Sequence, residues 1–359
     1  MVSTALEFYC GIGGLHYALR KSSVGGRVLA AFDWDQLACR VYSHNFRETT
    51  VKQVDLCTVT ADYLAAYAAD LWLMSPSCQP YTVLNPVPKD NSDPRAKSFL
   101  HLINDVLPSL AVSNALPGRL LIENVAGFET SSTRHTLVTV LSQLGYNVLE
   151  FLLTPLSLGI PNSRLRYYLL ARFEAFSLPT EILAPEVLRH VPGRGTNWVD
   201  DRDQSKVLPG ARMVREYLDQ EKPSPDGCTI SSRVLEKWGK LFDIVLPTSY
   251  RTCCFTRGYT KMVERAGSIL QENELLDTRE TFDHFLRAQA EGDPNPTTIL
   301  APLRLRYFSP EELLRLFGFD TDTEPFTWPA GVTTKSKYKL IGNSVNVHVV
   351  AELIDYLLE

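Results

Sequence analysis

Thr4-Ala5-Leu6-Glu7-Phe8-Tyr9-Cys10-Gly11-Ile12-Gly13-Gly14 opens the chain's first structural unit. Residues Thr4–Tyr9 read as a buried strand and Leu15–Lys21 as a helix, which puts the glycines at a strand-to-helix turn. Glycines there let the backbone approach a ligand closely, and the helix N-terminus favours an anionic group such as a carboxylate. The same glycines serve a tight turn with nothing bound. The motif by itself leaves both readings open.

Outward from this unit the alternation continues. Arg27–Asp33 reads as a second buried strand and Gln36–Phe46 as a helix. A strand at Asp70–Ser75, a helix near Ala96–Leu107 and a strand at Arg119–Val125 follow. The helix Thr133–Leu144 is opened by Ser131 and Ser132 and closed by Gly145. Val148–Thr154 and Leu165–Phe173 are then successive strands with no helix between them. The pattern predicts an α/β fold, a parallel sheet covered by helices and finished by an antiparallel pair. Ligands of such sheets sit at the carboxyl ends of the strands. Beyond about residue 176 the period breaks, Pro and Gly punctuate 179–227, and a second, irregular domain is expected. The segment 271–297 reads as a solvated helix and loop, with partner binding as the alternative, and Asn343–Leu358 as an apolar helix packing back on the first domain.

Composition bounds the answer. At 359 residues, 45% apolar and 21% charged, the chain is neither disordered nor collagenous, and it needs no disulfide staples to build a core. No run approaches the ~18 apolar residues of a membrane span, and the first residues lack the pattern of a signal peptide. Seven cysteines without regular spacing argue against a disulfide framework, so an intracellular, reduced protein is expected. Residues 1–180 carry 14 Lys+Arg and 14 Asp+Glu, so the net charge of −5 lies wholly in the second half. There, Arg251, Arg257, Lys261 and Arg265 form a basic island, whereas 271–297 holds seven acids against two arginines. Such a chain is poorly suited to coat nucleic acid indiscriminately, but a local island can grip one shaped substrate.

Several residues at predicted strand ends carry chemistry. Asp33-Trp34 offers a carboxylate for a ribose diol and an indole for an adenine face, or else a cap beside a core tryptophan. Asp55-Leu56 closes a short third strand, where an adenine edge or a plain loop start would suit it. Ser75-Pro76-Ser77-Cys78-Gln79-Pro80 puts a cysteine on a proline-stiffened loop at the ligand edge, placed like a nucleophile; most lone cysteines are inert. Leu121-Ile122-Glu123-Asn124-Val125 delivers a carboxyl group to that edge. Arg164 and Arg166, two apart on a strand, would face one side and fork onto a planar base or hold the glutamate, though each alone is a plausible surface charge. Cys253-Cys254-Phe255-Thr256-Arg257-Gly258-Tyr259 has no matching Cys/His pair nearby, so zinc is not expected. Gly342-Asn343-Ser344-Val345 reads as a helix entrance.

Together these segments resemble the cytosine-5 methyltransferase superfamily, whose blocks recur here in order over nearly the whole chain: the glycine loop, Pro76-Ser77-Cys78-Gln79, Glu123-Asn124-Val125, Arg164-Leu165-Arg166 and Gly342–Val345. Cys254–Tyr259 and Ile160–Tyr167 are similar to the branch of tRNA(Asp) cytosine-5 methyltransferases. The resemblance implies an S-adenosylmethionine-dependent, Rossmann-like catalytic domain at 1–180 plus 325–359, with a smaller target-recognition domain at 181–324. It implies methylation of C5 of cytosine 38 in the anticodon loop of tRNA(Asp) through a covalent cysteine–C6 adduct, leaving S-adenosylhomocysteine. By the same resemblance, Cys78 is the nucleophile, Glu123 the group on N3, and Arg166 with Arg164 the holders of the base O2. Phe8, Gly11, Gly13, Gly14, Asp33, Trp34, Asp55, Leu56, Asn343 and Val345 match the cofactor shell, and Thr82 lies on the substrate loop. No metal is implied. A monomer in cytoplasm and nucleus is expected, binding tRNA and, weakly, DNA. Arg251, Arg257, Lys261 and Arg265, then Lys335, Lys337 and Lys339, are the expected RNA contacts; lysines two apart also read as a solvated edge.

One position departs from the pattern. Ser77 stands where the superfamily has a second proline, restoring a free φ and an amide donor. Lost loop preorganisation of about 1 kcal/mol corresponds to a roughly fivefold to tenfold slower reaction. DNA cytosine-5 methylation and a non-catalytic tRNA binder weakened by Ser77 are the competing readings. An unrelated nucleotide-binding fold would need all five blocks to arise by chance.

Overall fold

The computed structural model describes residues 3–81, 90–177, 187–194, 210–219, 227–262, 264, 266–319 and 325–359. In chain order the first part comprises β1 (Thr4–Phe8), α1 (Gly14–Lys21), β2 (Arg27–Asp33), α2 (Gln36–Asn45), β3 (Thr50–Gln53), α3 (Ala61–Ala65) and β4 (Leu71–Met74). A long helix then runs as α4 (Lys97–His101), a π turn at Leu102–Val106, and α5 (Leu107–Val112). Pro108 has no N–H to give the carbonyl of Asn104, and the helix widens just ahead of it. β5 (Arg119–Val125), α6 (Ser132–Gln143), β6 (Asn147–Leu153) and β7 (Arg166–Arg172) complete the large sheet.

Its strand order is β3-β2-β1-β4-β5-β7-β6. The strands from β3 to β5 pair in parallel, while β7 is antiparallel to both β5 and β6. The expected parallel sheet with an antiparallel margin is therefore what the chain forms. Alternation along β1 sorts its side chains between two cores. Leu6 and Phe8 join Phe32, Trp72, Phe99 and Leu107 on one face, whereas Ala5 joins Leu15, Tyr42 and Leu353 on the other. Glu7 shares the parity of Ala5 and is fully buried, its carboxyl oxygen accepting a 2.6 Å bond from the Tyr42 hydroxyl.

The later part holds α7 (Ser232–Trp238), β8 (Ile244–Val245), β9 (Ile269–Gln271), α8 (Thr278–Ala290) and β10 (Leu305–Arg306), the three strands ordered β10-β9-β8. The acidic segment does contain a helix, α8, capped by Asp277 and buried through Phe282 and Phe285. α9 (Pro310–Phe317), entered through a Ser309–Glu312 capping box, packs its leucines into the core shared with α1. α10 (Thr334–Gly342) was not anticipated. The single closing helix expected from residue 343 begins instead at α11 (Val347–Leu358), because Asn346 caps it. α11 lies against α1. Among the described residues no helix is long and apolar enough to cross a membrane.

Candidate active site

β1 and β4 are neighbours, yet α1 leaves β1 for one face of the sheet and α4 follows β4 on the other. Strand order reverses there, which opens a crevice at the carboxyl ends of the two strands. A cleft of about 270 Å³ occupies that crevice, and the glycine loop, the cysteine loop, Glu123, Arg166 and the Gly342–Val345 turn all line it.

One half of the cleft is made chiefly by backbone. After β1 the chain turns through Tyr9 (φ 56°), Gly11 (φ 53°) and Gly13 (φ 88°) into α1. A Cβ on Gly13 would sit 2.2 Å from the Phe46 ring, so both conformation and space require glycine there. Asp33, at the end of β2, locks the loop: its carboxylate accepts from the amides of Gly11 and Asp35, each at 2.8 Å. Burial holds that carboxyl above its usual range, against the pull of those amide bonds. Each of its oxygens keeps a lone pair for a further donor. Trp34 beside it lines the cleft while remaining 77% exposed. Asp35 caps α2 and pairs at 3.1 Å with Lys339, which reaches the same rim from α10.

The other half is made by side chains. Cys78 follows β4 on a loop tied at several points. Ser75 Oγ donates to the Tyr9 carbonyl at 3.1 Å, Asn124 Nδ2 donates to the Pro76 carbonyl at 3.3 Å, and Gln79 meets Arg95. The sulfhydryl has solvent access. The protein surrounding it nevertheless raises its pKa, with Arg166 opposing, Glu123 reinforcing, and Arg164 and Arg257 opposing more weakly. The resting group is a thiol. Across the β5–β7 ladder Val125 faces Arg166 and Glu123 faces Tyr168. Glu123 and Arg166 are thus diagonal neighbours on one face, and Arg166 Nε lies 3.6 Å from Glu123 Oε1. Burial raises the Glu123 carboxyl despite Arg166 and Arg164. Cys254 Sγ sits 3.5 Å from both guanidinium groups. Burial works to raise that thiol, but Arg166 and Arg164 overcome it and the net shift is downward.

Not every expected residue faces the cleft. Gly11, Gly14, Asp33, Trp34, Cys78, Glu123, Arg164, Arg166, Arg257, Asn343 and Val345 line it. Phe8 does not. Its ring is buried against Phe32 and Trp72, and the next residue, Tyr9, is the aromatic at the cleft. Gly13 shapes the loop from behind. Asp55 caps a short 3₁₀ turn by accepting from the Cys57 amide, and Leu56 is core; neither lines the cleft. Arg164 precedes β7 rather than lying two along it, so the expected shared strand face is absent. Arg251 and Lys261 lie away from the cleft, and Thr82 and Arg265 fall outside the described residues. Lys335, Lys337 and Lys339 sit on helix α10 instead of an extended edge; Lys337 pairs with Glu311 at 3.0 Å. Tyr9, Asp35 and Ser344 were missed. A capping Asp ahead of a helix was the available signal for Asp35, and the strand-to-glycine junction that begins right after Phe8 the one for Tyr9.

Comparison with known proteins agrees with this arrangement. Residues 3–359 match the family described as C-5 cytosine-specific DNA methylase. The tRNA (cytosine(38)-C(5))-methyltransferase of Schizosaccharomyces pombe is 40% identical over 359 residues, covering 99% of this chain and 96% of the relative. The human protein of that name is 35% identical over 397 residues, covering 99% and 98%. The crystal structure of the S. pombe Dnmt2 methyltransferase superposes with a TM-score of 0.79 at 37% identity, covering 100% of this chain and 98% of that one. With the cysteine loop, the buried glutamate and the glycine turn meeting in one cleft of such a sheet, the chain belongs to the C-5 cytosine-specific DNA methylase family, among its Dnmt2-like members.

Proposed function

We propose that this protein methylates C5 of cytosine 38 in the anticodon loop of tRNA(Asp). The reading is carried by one observation: Cys78, Glu123 and Arg166 line the same cleft as the glycine loop. The relatives' names support the tRNA target. The cofactor half suits S-adenosylmethionine, since an indole left 77% exposed beside a buried aspartate offers an adenine face next to a hydroxyl acceptor. Gly11, Gly14, Asp33, Trp34, Asn343 and Val345 would hold it. Bound there, it supplies the electrophilic methyl group that C5 takes up.

The protein's own groups prepare the base. Cys78 Sγ gives its proton to solvent, to which the residue is open, and adds to C6, forming the S–C6 bond and pushing the ring's electron pair toward C5. Glu123, its carboxyl raised by burial, gives its proton to N3 as that charge develops. Arg166 keeps donors free for O2 while ordering the carboxyl at 3.6 Å. A solvent water then takes the C5 proton, the thiolate leaves C6, and N3 returns its proton to Glu123, which restores the ring. The base must leave its stack to be reached, which costs least in a single-stranded loop. Residues 181–324 are proposed to grip the tRNA, with Arg257 at the cleft and Lys261 exposed four residues further along the chain.

Labelled S-adenosylmethionine with a tRNA(Asp) transcript, a C38-substituted transcript and duplex DNA tests this reading. Incorporation is expected only into the first and is expected to vanish in Cys78→Ala. Incorporation into DNA alone, or tight tRNA binding without any transfer, would overturn it.

A further inference from the structure

Arg164 is 3% exposed, and its guanidinium is spent on two separate loops. Nη1 donates to the Phe255 carbonyl at 2.9 Å and reaches Cys254 Sγ at 3.5 Å. Nη2 donates to the Gly342 carbonyl at 3.2 Å and to the Ser344 carbonyl. With four terminal N–H groups and four such partners, no terminal donor is left to meet a base. The group also lies 5.0 Å over the Phe317 ring. Arg166, by contrast, faces Glu123 directly.

The two loops belong to opposite halves of the cleft. Residues 342–345 back the glycine turn: a Cβ on Gly14 would lie 2.7 Å from Ser344 Oγ and 2.8 Å from Val345 Cγ2. The loop at 254–257 carries Cys254 against Arg166 and ends at Arg257 in the cleft. The loops also touch through their backbones, since a Cβ on Gly342 would meet the Thr256 carbonyl carbon at 2.2 Å. From Gly14 through Ser344, Arg164 and Cys254 to Arg166 the contacts are continuous.

We infer that Arg164 is a positioning residue that couples the two halves, so that cofactor and tRNA each tighten the other's binding through it. The inference rests on the proposed function, because it takes the glycine half as the cofactor's and the Arg166 half as the base's. Coupling between two sites is reciprocal and commonly amounts to about 5-fold to 150-fold in affinity. A contiguous chain of contacts is the physical means, and only a measured cross-effect establishes it. A merely structural arginine would weaken each ligand alone and leave the cross-effect intact.

The test is calorimetric titration of S-adenosylhomocysteine with and without a saturating tRNA(Asp) transcript. Wild type is expected to bind the cofactor product at least about fivefold more tightly when tRNA is present. In Arg164→Lys each ligand alone should bind within about threefold of wild type, with the cross-effect reduced to twofold or less, roughly 0.4 kcal/mol or below. A cross-effect kept in Arg164→Lys overturns the inference. So does a wild type that binds both ligands with no mutual effect, and this leaves the proposed function standing. A wild type that binds neither removes both. Should Arg164→Lys fail to fold, hydrogen exchange on the wild-type chain decides: S-adenosylhomocysteine alone should slow amides at 254–257, and protection confined to 342–345 and the glycine turn overturns the coupling.

Discussion

The two sides of the cleft come from one sheet but are built on different principles. On the parallel side, strand ends hand over to turns whose backbone shapes the pocket, and Asp33 serves chiefly to hold those turns together. On the antiparallel margin, the β5–β7 register sets Glu123 and Arg166 on one face, and every group there has its own charge and task. A wall of backbone tolerates most side-chain changes and fails through geometry. A wall of registered side chains keeps its shape under conservative change and fails through chemistry.

The sharpest way to break that contrast is Glu123→Gln, which preserves size and removes the proton. Turnover should fall by about 10²–10⁴-fold while S-adenosylhomocysteine affinity, read by calorimetry, stays put. A matching loss of affinity would mean that Glu123 itself shapes the glycine half. The pH profile sharpens the point. A carboxyl held above its ordinary range by burial gives its proton only below its own pKa, so wild-type kcat/KM should decline as pH rises through that value, with no such limb in Glu123→Gln.

Gly13→Ala attacks the other wall. With φ at 88° and a new Cβ 2.2 Å from Phe46, a cost of about 1–3 kcal/mol is expected. It should appear as weaker cofactor-product binding, with turnover at saturating cofactor largely kept. Unchanged affinity would show that the turn is not the binding element.

Ser77→Pro tests the seam between the walls. It should raise turnover about fivefold to tenfold by restricting the cysteine loop. No change would mean that Asn124 on the Pro76 carbonyl and Ser75 on the Tyr9 carbonyl already fix it. A silent wild type beside an active variant would show that these ties do not suffice.

The smallest effect on catalysis is expected from Glu7→Gln, beneath the backbone wall. Burial pushes the Glu7 carboxyl up to about 8, and its neighbour His16, held near 3, stays neutral. Between the ordinary value of 4.5 and 8 the folded chain holds a proton that the unfolded chain has released. Stability should therefore fall as pH rises through that window. Denaturant midpoints at pH 7 and pH 8, above the range in which the unfolded chain's His16 takes up its proton, should differ in wild type and converge in Glu7→Gln.

The large sheet was legible because its strands are buried runs separated by capped helices, each long enough to show a period. Arg27–Asp33 and Arg119–Val125 were bounded to the residue. The later sheet was not, since β8 and β10 have two residues each and β9 three, too few for any alternation to register. At the cleft, Cys78 and Glu123 could be placed from strand ends alone. The role of Arg164 could not: its partners at 254–255 and 342–344 are remote in sequence, and only the folded chain brings them to one guanidinium. The Phe8 ring turns inward for a local reason, because the turn begins one residue after it and leaves Tyr9 as the aromatic that lines the cleft.

The seating of α11 against α1 bears on how the protein is made. The apolar side of α1 is synthesised well before the helix that covers it and the 342–345 turn that closes the pocket, because the rest of the large sheet and the later strands lie between them in the chain. Until α11 is made, the nascent chain carries a finished-looking strand order with one greasy flank bare. That is the kind of surface that recruits chaperones or aggregates.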